Sequence, residues 1–82
     1  MTSKQEIENW FDDGVKRQAV WMLVICDTFD HEDYPVYAMT DDECRQTFKA
    51  PGEMQRVMEV YDLSGDKREQ MLAKRTMRTP DA

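Results

Sequence analysis

Residues 19–37, AVWMLVICDTFDHEDYPVY, determine the core of the predicted fold. The stretch opens with an unbroken apolar run over residues 19–26, crosses a charged segment, and returns through residues 34–37. β-branched residues such as Val24 and Ile25 favour strand over helix, because they fit a pleated, half-buried surface. The pattern therefore predicts a β-hairpin that serves as the platform for the rest of the chain.

The first strand of this hairpin, residues 20–26, is apolar at every position. A strand with one face in water would alternate between apolar and polar residues, so we expect both faces to be covered or to lie at a subunit contact. A chain of 82 residues has a modest core, and association would bury more surface. We therefore expect a homodimer or a higher oligomer. Pro35 has no amide hydrogen, which favours an edge position for the second strand and a sheet of two or three strands.

Capping boxes predict where two helices begin. Ser3 and Glu6 have the spacing of a capping box for a helix over residues 3–16, whose apolar face consists of Ile7, Trp10, Phe11 and Val15. Thr40 and Glu43 have the same spacing and predict a helix over residues 41–49. Gly14 is costly inside a helix, so it either ends the first helix or allows a neighbour to pack closely.

The last third of the chain is predicted to contain two more helices. Met54, Val57, Met58 and Tyr61 follow helical spacing and predict a third helix over residues 53–63. Asp66 is the expected cap of a basic helix over about residues 66–77, with a frayed end over residues 78–82. The chain is thus predicted to be one α+β domain, residues 1–82, in the order α-β-β-α-α-α, with helices packed on a small antiparallel sheet.

Charge is distributed unevenly along the chain. The net charge is −6, and it divides into −9 over residues 1–66 and +3 over residues 67–82. An acidic body repels nucleic acid and membrane surfaces and attracts basic protein surfaces. The apolar run is too short to span a bilayer, and no signal-peptide core is apparent, so we expect a cytoplasmic protein with both cysteines reduced. Of the two thiols, that of Cys44 is expected to lie nearer the surface.

The charged turn is a candidate metal or catalytic site. Asp27, Asp30, His31 and Asp33 offer oxygen and nitrogen ligands within one short segment. A calcium loop also needs a glycine at its bend and a glutamate at fixed spacing, and zinc would need more histidine or cysteine. We therefore predict no cofactor and favour a solvated acidic turn. A metal- or His-dependent enzyme centred on this turn remains an alternative hypothesis.

We favour a different interpretation of the charged turn, as part of a protein-binding surface. Tyr34 and Tyr37 are expected to share one face of the edge strand, next to acidic turns. The predicted partner-binding residues are Asp30, Glu32, Asp33, Tyr34, Tyr37, Asp41, Asp42 and Glu43. The basic end lacks the interleaved aromatic residues of a nucleic-acid site, so we expect no direct nucleic-acid partner. Self-association through that end fits equally well, and a purely structural self-associating subunit is a third hypothesis.

Three segments carry a resemblance to known sequences: WFDDGV at residues 10–15, CDTFDHEDYPVY at residues 26–37, and MEVYDL at residues 58–63. Together they resemble small open reading frames of bacteriophages and bacterial genomes. The resemblance implies a phage or prophage product acting inside a bacterium on a bacterial protein or protein complex. Small acidic proteins of that kind often block a host or defence protein, some by imitating the charge of nucleic acid. Here the residues of such a surface would be Asp12, Asp13, Asp30, Glu32, Asp33, Asp41, Asp42 and Glu43, at a lower charge density than an imitation of DNA needs.

Overall fold

The fold is an antiparallel three-stranded sheet with helices on both faces. The computed structural model describes residues 3–50, 52–73 and 76–78. Its elements are α1 (Lys4–Lys16), β1 (Trp21–Asp27), β2 (Glu32–Ala38), α2 (Asp41–Lys49), β3 (Gln55–Asp62) and α3 (Lys67–Leu72). The strand order is β2-β1-β3, and both neighbours of β1 run antiparallel to it. The predicted α+β class is confirmed. No helix in the described part of the chain is long and apolar enough to cross a bilayer.

The central position of β1 explains its apolar sequence. Because side chains alternate along a strand, Met22 and Val24 enter a cluster against α1, while Leu23 and Ile25 enter a second cluster on the opposite face. The second cluster includes Cys44 from α2. The prediction that β1 is covered on both faces is confirmed, and a single chain provides the cover. The apolar sequence of β1 therefore no longer supports the expectation of an oligomer.

The predicted third helix over residues 53–63 is wrong, because most of this segment is the strand β3. The helical spacing of its apolar residues is coincidental, since Met54 and Met58 are exposed and Val60 is buried. The segment forms a strand because it pairs with the second edge of β1, and such long-range pairing commonly overrides local periodicity. Between Val24 and Ile25 the register shifts, which leaves Met58 as the extra residue of a bulge. The observed order is accordingly α-β-β-α-β-α.

The predicted basic helix over residues 66–77 ends earlier, at Leu72. Beyond it, Thr76 and Arg78 run alongside β3: the Val60 amide donates to the Thr76 carbonyl and the Arg78 amide donates to the Val60 carbonyl, at 2.9 Å each. These bonds pair part of the outer edge of β3, whose backbone groups would have lacked these partners if the helix had continued. Arg78, the first residue of the predicted frayed end, is therefore held against β3, and that part of the prediction is wrong. Lys74, Arg75 and residues 79–82 lie outside the described residues.

The first helix packs closely on the sheet at Gly14. The Ser3 hydroxyl accepts the Glu6 amide at 3.2 Å, so the predicted cap is confirmed. A Cβ at Gly14 would lie 2.7 Å from Leu63 Cδ1 and 2.8 Å from Tyr37 Cε1, closer than carbon atoms approach. The glycine therefore permits close packing rather than ending the helix. Val15 departs from the predicted apolar face and is exposed.

Candidate protein-binding surface

The turn between β1 and β2 is held by hydrogen bonds from its own backbone. The Asp27 carboxylate accepts the amides of Phe29 at 2.9 Å and Asp30 at 3.4 Å. The Asp27 carbonyl accepts the His31 amide at 2.7 Å. An aspartate that caps its own turn in this way is a common device for fixing a loop. The carboxylate of Asp27 is therefore engaged in holding the turn.

A second loop, residues 52–54 between α2 and β3, is joined to this turn. The amide and the hydroxyl of Thr28 both donate to the Met54 carbonyl, at 2.7 Å each. The strand β3 then begins with Gln55 opposite Asp27. We call residues 28–32 and 52–54 together the two-loop surface.

The two-loop surface exposes large apolar side chains. Phe29 is 71% exposed and Met54 is 57% exposed. Asp30, His31, Glu32 and Glu53 are also exposed. An aromatic residue held out by a fixed turn, with charged residues around it, has the composition of a protein-interaction hot spot.

Uncommon backbone conformations also gather in these two loops. Only three non-glycine residues among those described have a positive φ, and two of them are His31 at 57° and Met54 at 58°. Gly52 has a φ of 114°. A left-handed conformation costs a residue with a Cβ on the order of 1–2 kcal/mol. Such conformations are concentrated at functional sites, which makes this end of the sheet the strongest candidate site in the described residues.

The structure does not bring the predicted acidic residues together. Asp30 and Glu32 lie at the turn, where Asp27 pairs with Glu32. The three acidic residues of α2 follow the opposite end of β2, where Trp21 pairs with Ala38. Six residue steps of strand separate the two ends, which is about 20 Å at ~3.3 Å per residue. The expected single acidic surface is therefore two separate groups.

The acidic residues at the start of α2 hold the fold. The Asp41 carboxylate accepts the Trp21 indole N–H at 2.8 Å, and the Asp42 carboxylate pairs with Arg45 at 2.9 Å. The Glu43 amide donates to the Thr40 hydroxyl at 3.1 Å, and the Glu43 carboxylate accepts the Met39 amide at 3.4 Å. The predicted cap by Thr40 is confirmed, whereas the Glu43 carboxylate accepts the amide of Met39 instead of that of Thr40.

The expectation that Tyr34 and Tyr37 share one face of β2 is wrong. Side chains alternate along a strand, so residues three positions apart face opposite sides of the sheet. Tyr34 packs on the second cluster and Tyr37 on the first. The Tyr37 hydroxyl donates to the Trp10 carbonyl at 2.7 Å, and the Arg17 guanidinium lies 5.2 Å from the Tyr37 ring centre. Burial, followed by the charge of Asp13, raises the pKa of the Tyr37 hydroxyl.

The two cysteines differ from expectation as well. Cys44 is buried, whereas Cys26 is partly exposed, so the predicted order of exposure of the two thiols is reversed. Cys26 and Cys44 are not joined by a disulfide bond. Partial burial, followed by the adjacent Asp33 carboxylate, raises the pKa of the Cys26 thiol, which disfavours a reactive thiolate.

Among the described residues, no three His, Cys, Asp or Glu side chains are grouped so that they could hold a metal ion.

The basic end forms ion pairs within the chain. Lys67 lies 3.0 Å from the Asp12 carboxylate and Arg78 lies 3.1 Å from the Glu69 carboxylate. Both pairs are exposed and so contribute little to stability. Each nonetheless reduces the positive charge that these residues offer to a nucleic acid.

Comparison of the chain with protein-family models, with curated proteins and with solved structures gives no match. The resemblance of residues 10–15, 26–37 and 58–63 to phage and bacterial open reading frames therefore stays a prediction from the sequence.

Proposed function

We propose that this chain is a small acidic, non-enzymatic protein that binds a bacterial protein or protein complex and modulates or inhibits it. An antiviral defence complex is the kind of partner that the resemblance to phage sequences implies. One observation carries the proposal: a hydrogen-bonded turn holds Phe29 in solvent between acidic residues. Burial of an exposed aromatic residue at a pre-formed site is a common source of binding free energy.

Electrostatics support a protein partner rather than a nucleic acid. The body carries −9 over residues 1–66, which disfavours approach to phosphate. The same charge speeds encounter with a basic protein surface. Because Asp41 and Glu43 are occupied in holding the fold, the proposed recognition surface contracts to the turn and its acidic residues, Asp30 and Glu32.

The test is capture of proteins from a nuclease-treated bacterial lysate by the tagged chain. We compare the wild-type protein with the double variant Asp30→Lys/Glu32→Lys. The matched control is Glu8→Lys/Asp13→Lys, which makes the same change in net charge on α1, away from the turn. All three proteins are first compared by urea unfolding, so that a loss of binding is not confused with a loss of folding.

The proposal expects a stoichiometric bacterial protein that is retained by the wild type and the control and is lost in the turn variant. Retention by the turn variant would show that the acidic turn is not the recognition surface. Capture of nothing except further copies of the chain would favour the hypothesis of a self-associating structural subunit.

A further inference from the structure

Met54 has an apolar side chain at a position where neither the backbone conformation nor packing within the chain favours one. It has a φ of 58°, a conformation that glycine or asparagine adopts with less strain. Its side chain is 57% exposed, so packing within the chain does not compensate for that backbone. Contact with something outside the chain would account for an apolar side chain at this position.

Met54 lies beside the turn that presents Phe29. The Thr28 amide and hydroxyl both donate to the Met54 carbonyl, and Phe29 is the next residue along the chain. Other strongly exposed apolar residues, such as Val15 on α1 and Leu72 on α3, lie on separate helices. Phe29 and Met54 therefore form a pair of exposed apolar residues on two joined loops.

The charge around this pair defines the partner that fits it. Asp30, Glu32 and Glu53 are exposed on the same two loops, and the body of the chain is acidic. A complementary protein surface offers an apolar groove at its centre and basic residues at its rim. An anionic lipid surface would be repelled by the same carboxylates.

We infer that Phe29 and Met54 are paired anchors that enter an apolar groove flanked by Lys and Arg side chains on the partner protein. This inference rests on the proposed function and adds the second loop and the chemistry of the partner. It assigns to Met54 a binding role that is separable from folding, because a glycine at this position relaxes the backbone while removing the side chain.

The test begins with a benzophenone amino acid placed at position 29, which keeps an aromatic side chain at the turn. Cross-linking in bacterial cells followed by mass spectrometry identifies the protein in contact and the peptide that is labelled. The purified contact protein is then titrated with the wild-type chain, Phe29→Ala, Met54→Gly and Met54→Asn, at low and high salt. Leu72→Ala is the matched control, because Leu72 is 78% exposed but lies on α3.

We expect Phe29→Ala and both Met54 variants to weaken binding at least about tenfold, and Leu72→Ala to leave it unchanged. The Met54→Gly protein should unfold at the same temperature as the wild type or higher. Binding should weaken as salt rises, and the labelled peptide should carry Lys or Arg.

Wild-type affinity in both Met54 variants would overturn the inference and leave the proposed function in place. A labelled peptide without basic residues, or cross-linking only to a second copy of the chain, would also overturn it. The absence of any cross-linked protein would overturn both proposals.

Discussion

The Met54 carbonyl accepts two hydrogen bonds from Thr28, one from the amide and one from the hydroxyl, each 2.7 Å long. The two residues are 26 positions apart in the sequence. Their contact joins the β1–β2 turn to the loop before β3, and so converts two short loops into one surface. The proposed binding function and the proposed pair of anchor residues both depend on that surface.

The first prediction concerns Gln70, whose buried side chain binds the end of β3 to α3. Its carbonyl oxygen accepts the Asp62 amide at 2.8 Å, and its NH₂ group donates to the carbonyls of Asp62 at 2.9 Å and Asp66 at 3.1 Å. Gln70→Ala leaves the Asp62 amide without its partner, and the carbonyls of Asp62 and Asp66 then keep only the backbone amides of Gly65 and Gln70 as donors. The substitution should lower the free energy of unfolding by about 2–4 kcal/mol.

Urea denaturation measures the effect of the Gln70 substitution. Gln46→Ala on the exposed side of α2 is the control and should change stability by less than about 0.5 kcal/mol. A Gln70→Ala protein as stable as that control would show that the Gln70 hydrogen bonds are not needed.

The second prediction compares the partly buried Tyr37 with the fully buried Tyr61. The Tyr37 hydroxyl donates to the Trp10 carbonyl, whereas the buried Tyr61 hydroxyl lies beside the side chains of Glu59 and Thr76 without a well-aligned hydrogen bond to any described residue. Tyr37→Phe should therefore cost about 1 kcal/mol. Tyr61→Phe should be neutral or stabilising, because it removes a buried polar group that has no well-aligned hydrogen bond to a described residue. A larger loss in Tyr61→Phe than in Tyr37→Phe would contradict this assignment.

The same tyrosines predict how stability depends on pH. Burial is the main cause that raises the pKa of both hydroxyls in the folded protein. The unfolded chain ionises near the ordinary tyrosine pKa of about 10, while the folded chain does not. Stability should therefore be complete below about pH 10 and fall as pH rises above it. Urea denaturation at about pH 8 and about pH 10.5 measures this loss, which should be smaller in each Phe variant.

The third prediction concerns the backbone of His31. Its φ of 57° is poorly tolerated by β-branched residues, so His31→Val should lower stability by about 1–2 kcal/mol. His31→Asn should retain wild-type stability, because asparagine accepts this conformation. Gln18, with a φ of 62°, is a matched position outside the two-loop surface. Gln18→Val should cost a similar amount without weakening partner binding, whereas a His31→Val protein of wild-type stability would refute the strained conformation of the turn.

The fourth prediction separates structural from recognition residues among the acids. Asp41→Ala removes the acceptor of the Trp21 indole and should cost about 1–3 kcal/mol, measured by Trp fluorescence during urea unfolding. Asp41→Asn keeps an oxygen acceptor and should cost less. Both variants should bind the partner as the wild type does. Weakened binding in the well-folded Asn variant would return Asp41 to the recognition surface.

Features that depend on residues close together in the sequence were predictable. The apolar run of β1 indicated a doubly covered strand, and Ser3 and Thr40 indicated where α1 and α2 begin. The strand β3 was not predictable in this way, because its Met, Val and Tyr residues fit a helical period. Its strand conformation depends on pairing with β1, whose partner residues lie 28 to 41 positions away in the sequence.

Only one of the two loops of the candidate site was predicted from the sequence. Asp30 and Glu32 were visible as an acidic turn, but Met54 was assigned to a core-facing helix. Its carbonyl accepts the amide and the hydroxyl of Thr28, which is 26 positions away, and no local sequence pattern encodes that contact. Pro51 and Gly52 are the local sequence signal of a break before β3, and the φ of 114° at Gly52 agrees with a turn there.

Chemical-shift mapping of the ¹⁵N-labelled chain, on addition of the captured partner, tests recognition through the two-loop surface without any substitution. We predict that the largest changes in backbone amide signals fall in residues 28–32 and 52–54. Changes concentrated on the outer edge of β2 or at the start of α2, with the two-loop surface unaffected, would contradict recognition through these loops.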